Sequence, residues 1–340
     1  MKEFGSDFHF IAPTGGSDTL QDFFPSANYY ADGRQALIAL YRSQGWQRLW
    51  MPEYFCYDVI ESLKEAGLEL VFYTDYPGYD DDDNLNANVN FKPGDALLRV
   101  NYFGMRGYRS TEKLMVPVVE DHTHDLIGDW AMKSTADWCI ASLRKSLPVP
   151  EGGMLWSPKG LPLPNAPTVS DENEKIAAIR WEAMRLKACY LNGENVEKAA
   201  FRAGFVDTEE YFDSAEVCVL DAESQKFLQL FDIRDWYKRK WENWELLRDI
   251  KKDGVRVLRP ENKGCYPFSL ILVFELEDER NRVRKALIER QVYPAILWSV
   301  PPSYYGEINQ MSGGMLSIHC DARYTKDDIL QMKSIIESTL

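Results

Sequence analysis

Positive charge is in short supply. Lys and Arg number 39 against 53 Asp and Glu, a formal net charge of −14. A polyanion is repelled on average by such a chain, so nucleic acid is not expected as a partner. Long apolar runs are also missing. None approaches the roughly 18–20 residues of a bilayer crossing, which argues against a membrane partner. The opening MKEFGSDFHFIAPTGG has neither a basic start nor a long apolar centre, so no secretory signal is expected. Cysteine is sparse and solitary: six residues, at 56, 139, 189, 218, 265 and 320, with no CxxC pair and no zinc-type spacing. Lone thiols in apolar stretches, as at 139, 218 and 320, suit a buried reduced state, and the cytoplasm is the expected compartment. The acidic run Asp80–Asp83 lacks the glycine and distal glutamate of a calcium loop and reads as a solvated loop. No internal repeat or low-complexity tract is evident.

The 340 residues present are 45% hydrophobic and 27% charged, the ordinary globular mixture, and their number suits two domains. From about 33 to 160 helical and strand patterns alternate. Helices are predicted over 33–43 and 57–66, with Gly67 as a C-cap. Strands are predicted over 47–51, 68–73, 96–101, 114–119 and 138–142. This alternation predicts an α/β fold with a mostly parallel sheet sandwiched by helices. Residues 156–168 are proline-rich and read as loop. Long helices are expected over 171–191 and about 221–252. A smaller α+β pattern follows, with strands over 255–258, 268–274, 293–297 and 315–319 and helices over 278–290 and 325–338. The second of these helices is capped by Thr325 with Asp328 three residues on. The boundary is set near 245, giving a large domain over 1–245 and a small one over 246–340, with residues 1–30 free to pack on the small domain.

Four features carry the chemistry. A helix opens at Gly33-Arg34-Gln35. An apolar strand ends in Glu120-Asp121-His122-Thr123-His124. Another strand ends in Ser142-Leu143-Arg144-Lys145. The turn Pro150-Glu151-Gly152-Gly153 comes next. Ligands of parallel α/β sheets bind at the carboxyl ends of strands, and Asp121 and Lys145, 24 residues apart, both fall there. An amine and a carboxylate at neighbouring strand ends are what pyridoxal 5'-phosphate requires. The amine condenses with the aldehyde, and the carboxylate keeps the pyridine nitrogen protonated so that the ring accepts electrons. A helix N-terminus, here Gly33–Gln35, can seat the phosphate.

With these residues in view, the chain resembles the fold-type I pyridoxal-phosphate enzymes. Among them it is similar to the DegT/StrS-type sugar aminotransferases, through GRQAL, MPEYFCYDVIESLKEAGLELVFYTD, VVEDHTHD, SLRKSLPVPEGGML and the tail MLSIHCDARYTKDDILQMKSII. The resemblance implies Lys145 as the Schiff-base lysine and proton shuttle, and Asp121 as the partner of the pyridine nitrogen. His124 is implied as a contact of the ring hydroxyl. Gly33, Arg34, Gln35 and the Ser142 hydroxyl are implied as phosphate ligands. Tyr57, with Phe55 next, is implied as the stacking aromatic, and Tyr102 as a lining residue. It further implies an aminotransferase with an amino-acid donor (glutamate or glutamine), a keto-sugar acceptor linked to a nucleotide, and a homodimer. A lyase or dehydratase and a non-catalytic cofactor-binding relative are the alternatives. Dehydratase relatives replace the lysine with histidine, whereas position 145 is lysine.

Other residues have plainer readings. His122 and His124 form an H-x-H pair, but no third ligand stands at a suitable spacing, so no metal is expected. His319 reads as a core or rim histidine. Arg323 suits either a substrate carboxylate or a salt bridge to Asp321. Trp181, Trp236, Trp241 and Trp244 fall in helical stretches and read as packing residues.

Overall fold

The structure is a computed structural model. It describes all residues except 1, 14, 17, 80–88, 215 and 302–305. The Asp80–Asp83 run therefore lies outside the described residues. The strands in chain order are β1 Phe4–Gly5, β2 Asn28–Tyr30, β3 Arg48–Pro52, β4 Leu70–Tyr73, β5 Asp95–Val100, β6 Val118–Asp121, β7 Trp138–Ser142, β8 Gly153–Trp156, β9 Val255–Val257, β10 Leu270–Phe274, β11 Val292–Tyr293 and β12 Met315–Ile318.

Seven strands form the main sheet in the order β2-β8-β7-β6-β5-β3-β4. From β7 to β4 the neighbours run parallel, while β8 is antiparallel to β7 and β2 to β8. The α/β class is as predicted. The antiparallel edge was not read from the sequence: β2 has three residues, and β8 opens directly on the Gly152-Gly153 turn. Strand alternation divides the core into two layers. Val119, Ile140 and Leu155 join one apolar cluster with Leu37, Leu40 and Ile60. Val118, Cys139, Ala141 and Met154 join the other, with Trp181, Phe227 and Trp236. Trp244 is buried as well, and Trp241 stacks on it at 5.5 Å.

Prolines and caps move several predicted boundaries. The strand predicted over 114–119 begins only at Val118, after Pro117, which has no N–H for the ladder. Pro294 likewise confines the strand predicted over 293–297 to Val292–Tyr293. The helix predicted over 221–252 is two helices, Ala222–Leu228 and Ile233–Leu247. Asp232 separates them by accepting the Asp235 N–H as an N-cap at 2.8 Å. The Thr325–Asp328 capping box is present as predicted.

A second, three-stranded sheet has the order β12-β10-β9. Its cluster of Leu272, Phe274, Ile329 and Met332 also takes in Phe4 and Trp244. The N-terminus reaches it through β1, which pairs in parallel with β11. Among the described residues no helix is long and apolar enough to cross a membrane.

Candidate active site

Three neighbouring parallel strands end side by side: β5 at Val100, β6 at Asp121 and β7 at Ser142. A cavity of about 200 Å³ opens at that edge, lined by all three of these residues. Asp121, His124, Ser142, Lys145, Gly33 and Arg34 share this cavity, so six of the nine sequence-predicted site residues come together on its wall.

Thr123 fixes the two strand ends. Its N–H donates to Asp121 Oδ1 at 2.9 Å, and its Oγ1 accepts the Ser142 N–H at 2.9 Å. Its carbonyl accepts the Ser146 hydroxyl, one residue past the lysine, at 2.5 Å. Burial raises the Asp121 carboxyl above its ordinary pKa. A carboxylate in that position is stabilised by a cation or an N–H donor in the cavity.

Lys145 is open to the cleft. Arg144 beside it, and then burial, lower its ammonium to about 8. Arg144 is held in turn by Glu209, whose Oε1 it meets at 2.8 Å, while Arg180 meets Oε2 at 3.1 Å. Burial alone would raise Glu209, but the two guanidiniums override it and hold the carboxyl at about 2.

His124 accepts the Phe103 backbone N–H at Nδ1, 3.2 Å away. Burial, then Lys240 and Lys145, push its pKa down to about 3. The ring is therefore neutral with its proton on Nε2, a donor suited to an anionic oxygen.

The helix at Gly33 is positioned by two glycines of the turn after the lysine. Gly152 N–H donates to the Ala31 carbonyl at 2.6 Å. A Cβ on Gly153 would stand 2.0 Å from the Asp32 carbonyl, so the two segments can cross only at glycine. At Gly33 a Cβ would come within 3.0 Å of the Ser142 side chain.

Three expected residues stand elsewhere. The Gln35 N–H is committed to Asp32 Oδ1 at 2.8 Å, and its Oε1 accepts the Cys218 N–H. Asp32 caps this helix, so the expected backbone cradle is already occupied by a carboxylate. Anion-binding capacity lies instead with the side chains of Arg34, Arg144 and Ser142. Tyr102 is fully buried, its hydroxyl donating to the Tyr54 carbonyl at 2.7 Å, and it does not reach the cavity. Tyr57 turns back toward the Glu53 carbonyl, and Phe55 and Cys56 line the cavity in its place.

Arg323 makes the salt bridge of the two readings offered by the sequence. Its Nε and Nη2 meet Asp321 at 2.8 and 2.9 Å, and Nη1 reaches the Asp7 carbonyl. His319 is half-buried and neutral beside it, pushed down to about 4 by desolvation and then by Arg323.

Among the lining residues missed in the sequence are Glu209, Asp213, Phe268 and Trp298. Trp298 stacks on His124 with ring centroids 5.7 Å apart and planes 22° apart, and lies 5.8 Å from Phe55. These residues are separated by long stretches of sequence from the motifs, and no local pattern marks them.

No protein-family model matches the chain, and no curated protein matches it. Solved structures do. The Helicobacter pylori aminotransferase PseC, involved in the biosynthesis of pseudoaminic acid, is 14% identical over 99% of each chain with a TM-score of 0.66. Spr1654 from Streptococcus pneumoniae in its PLP form is 12% identical over 98% of this chain and 94% of that one, TM-score 0.63. DesI in the presence of its TDP-sugar product is 18% identical over 92% of this chain and 80% of that one, TM-score 0.59. At these identities the likeness is one of architecture, and the chain has the fold of the pyridoxal-phosphate-dependent sugar aminotransferases.

Proposed function

We propose that the protein is a pyridoxal-phosphate-dependent aminotransferase. It would move an amino group from an amino-acid donor, glutamate or glutamine, to a keto-sugar carried on a nucleotide. The observation that carries this reading is the shared cavity of Lys145 and Asp121 at the carboxyl edge of β6 and β7. The fold supports it, as does the likeness to PseC, an aminotransferase, and to DesI, whose structure was determined in the presence of its TDP-sugar product.

The residues present suit the cofactor. The Asp121 carboxylate would hold a proton on the pyridine nitrogen, and the neutral His124 would donate from Nε2 to the ring oxygen. Arg34, Arg144 and the Ser142 hydroxyl would face the phosphate. Phe55 and Trp298 are the aromatic surfaces available for stacking. When bound, the cofactor supplies an electron sink for the substrate carbanion. Lys145, with its ammonium lowered to about 8, carries the substrate α-proton in both half-reactions, so the kinetics are ping-pong. The reading includes a homodimer, a large domain over 1–245 with a small one over 246–340, and a cytoplasmic location. The six free thiols support a reducing compartment.

The test is spectroscopic. Protein loaded with pyridoxal phosphate should lose its visible band on addition of glutamate or glutamine and regain it with a keto acceptor. Lys145→Ala should lack the wild-type band from the outset. A variant spectrum identical to wild type, or no response to any amino donor, would refute the assignment.

A further inference from the structure

The sheet face turned away from the cavity carries a second cluster that the proposed reaction leaves unused. Asp121 faces the cavity, so strand alternation sends Glu120 to the other side. Cys139, the register partner of Glu120 on β7, lies with it. Donor atoms of Glu120, His122 and Cys139 all fall within 4.8 Å of one another. His122 Nε2 is 3.1 Å from a Glu120 carboxylate oxygen. Ser134 closes the group, donating to that same oxygen at 2.6 Å with its Oγ 3.5 Å from Cys139 Sγ. Glu120, His122 and Cys139 are each 0% exposed.

As a hydrogen-bonded network the cluster is incomplete. Glu120 Oε1 and His122 Nδ1 have no hydrogen-bond partner. His122 is in ion-pair range of Glu120, and the register partner of Glu120 on β5, the buried Arg99, lies over the Trp130 ring. Buried carboxylates are costly unless paired or bound to metal. Carboxylate, imidazole and thiolate together make a zinc-type donor set.

We propose that Glu120, His122 and Cys139 form a structural divalent-metal site that takes zinc, with the Ser134 hydroxyl beside it. One carboxylate and one thiolate balance the charge of the ion. Enclosure on every side means the metal enters as the chain folds, and its role is to tie β6 to β7 behind Asp121. The H-x-H pair is thus not the donor set: His122 joins Glu120 on its own strand segment and Cys139 on the neighbouring strand. His124 takes no part, because it lines the cavity.

Full-length protein produced with zinc in the medium and then desalted should retain about one zinc per chain by elemental analysis. Refolding with Co²⁺ alone should produce the visible bands of a tetrahedral cobalt–thiolate centre, and Cys139→Ser should abolish them. Ser134→Ala keeps the three donors and should lower zinc retention against a chelator by about 10–100-fold. Wild-type zinc below about a tenth of an equivalent, with no cobalt bands after refolding, overturns the proposal and leaves a closed polar cluster. These readouts involve neither pyridoxal phosphate nor turnover, so their failure is separate from failure of the proposed reaction.

Discussion

Arg144 is the residue on which the chemistry of Lys145 turns. It is the largest influence lowering the lysine, and it is held in place by Glu209. Replacing it with glutamine removes the like charge, so the lysine should keep its proton to higher pH. We expect the inflection for labelling of Lys145 by an amine-reactive reagent, followed by mass spectrometry, to rise from about 8 in the wild type by at least about one pH unit in Arg144→Gln. An unmoved inflection would mean that burial alone sets the value. The adjacency of Arg144 to Lys145 was legible in the sequence, but its effect was not. That effect depends on the guanidinium being fixed at close range by Glu209, 65 positions away.

Among the elements, the turn into β8 does most to shape the site. The Gly152-Gly153 pair let the strand after the lysine run against the segment before the Gly33–Gln44 helix, bringing Gly33 against Ser142. Gly153→Ala would drive a methyl into the Asp32 carbonyl and should destabilise the protein by roughly 1–3 kcal/mol, read as a lower urea midpoint. It should also weaken cofactor retention, because Asp32 and Gly33 would move with the strand. A variant as stable as wild type would show that the crossing can relax. Apolar runs located β3 to β7, and apolar periodicity located the helix Asp171–Leu191, while the break at Asp232 inside the other long helical stretch was not seen. Such patterns failed for β2 and β8, which flank turn and loop segments, and for the short helices Lys198–Val206 and Glu307–Gly314, which span only about two turns.

Across the whole molecule, the N-terminal segment is clasped to the C-terminal elements. Arg323 bridges Asp321 and the Asp7 carbonyl and lies over the Phe8 ring at 4.2 Å. Burial alone would raise Asp321, but Arg323 overrides it and holds the carboxyl at about 2. The clasp therefore contributes its full stability above the ordinary carboxylate range near 4 and loses it as pH falls through about 2. Asp321→Asn leaves a buried guanidinium unpaired and should cost about 3–5 kcal/mol at neutral pH. Its stability should vary less with pH between about 4 and 2 than that of wild type, as measured by chemical denaturation. Equal slopes would remove the clasp from the acid response. The proposed homodimer is tested at this scale by light scattering, which should give twice the 39.3 kDa chain mass. A monomer at assay concentration would count against it.

The sequence by itself determined the fold class, the order of the main strands and helices, and the positions of Asp121 and Lys145 at strand ends. Those properties follow from local periodicity and spacing, which a linear chain carries in full. Only the tertiary structure decided that Asp32 occupies the helix N-terminus, that Trp298 and Glu209 reach the cavity, and that Cys139 stands beside Glu120. Each of these is a meeting of residues distant in the chain, fixed by strand register and by the closing of the core.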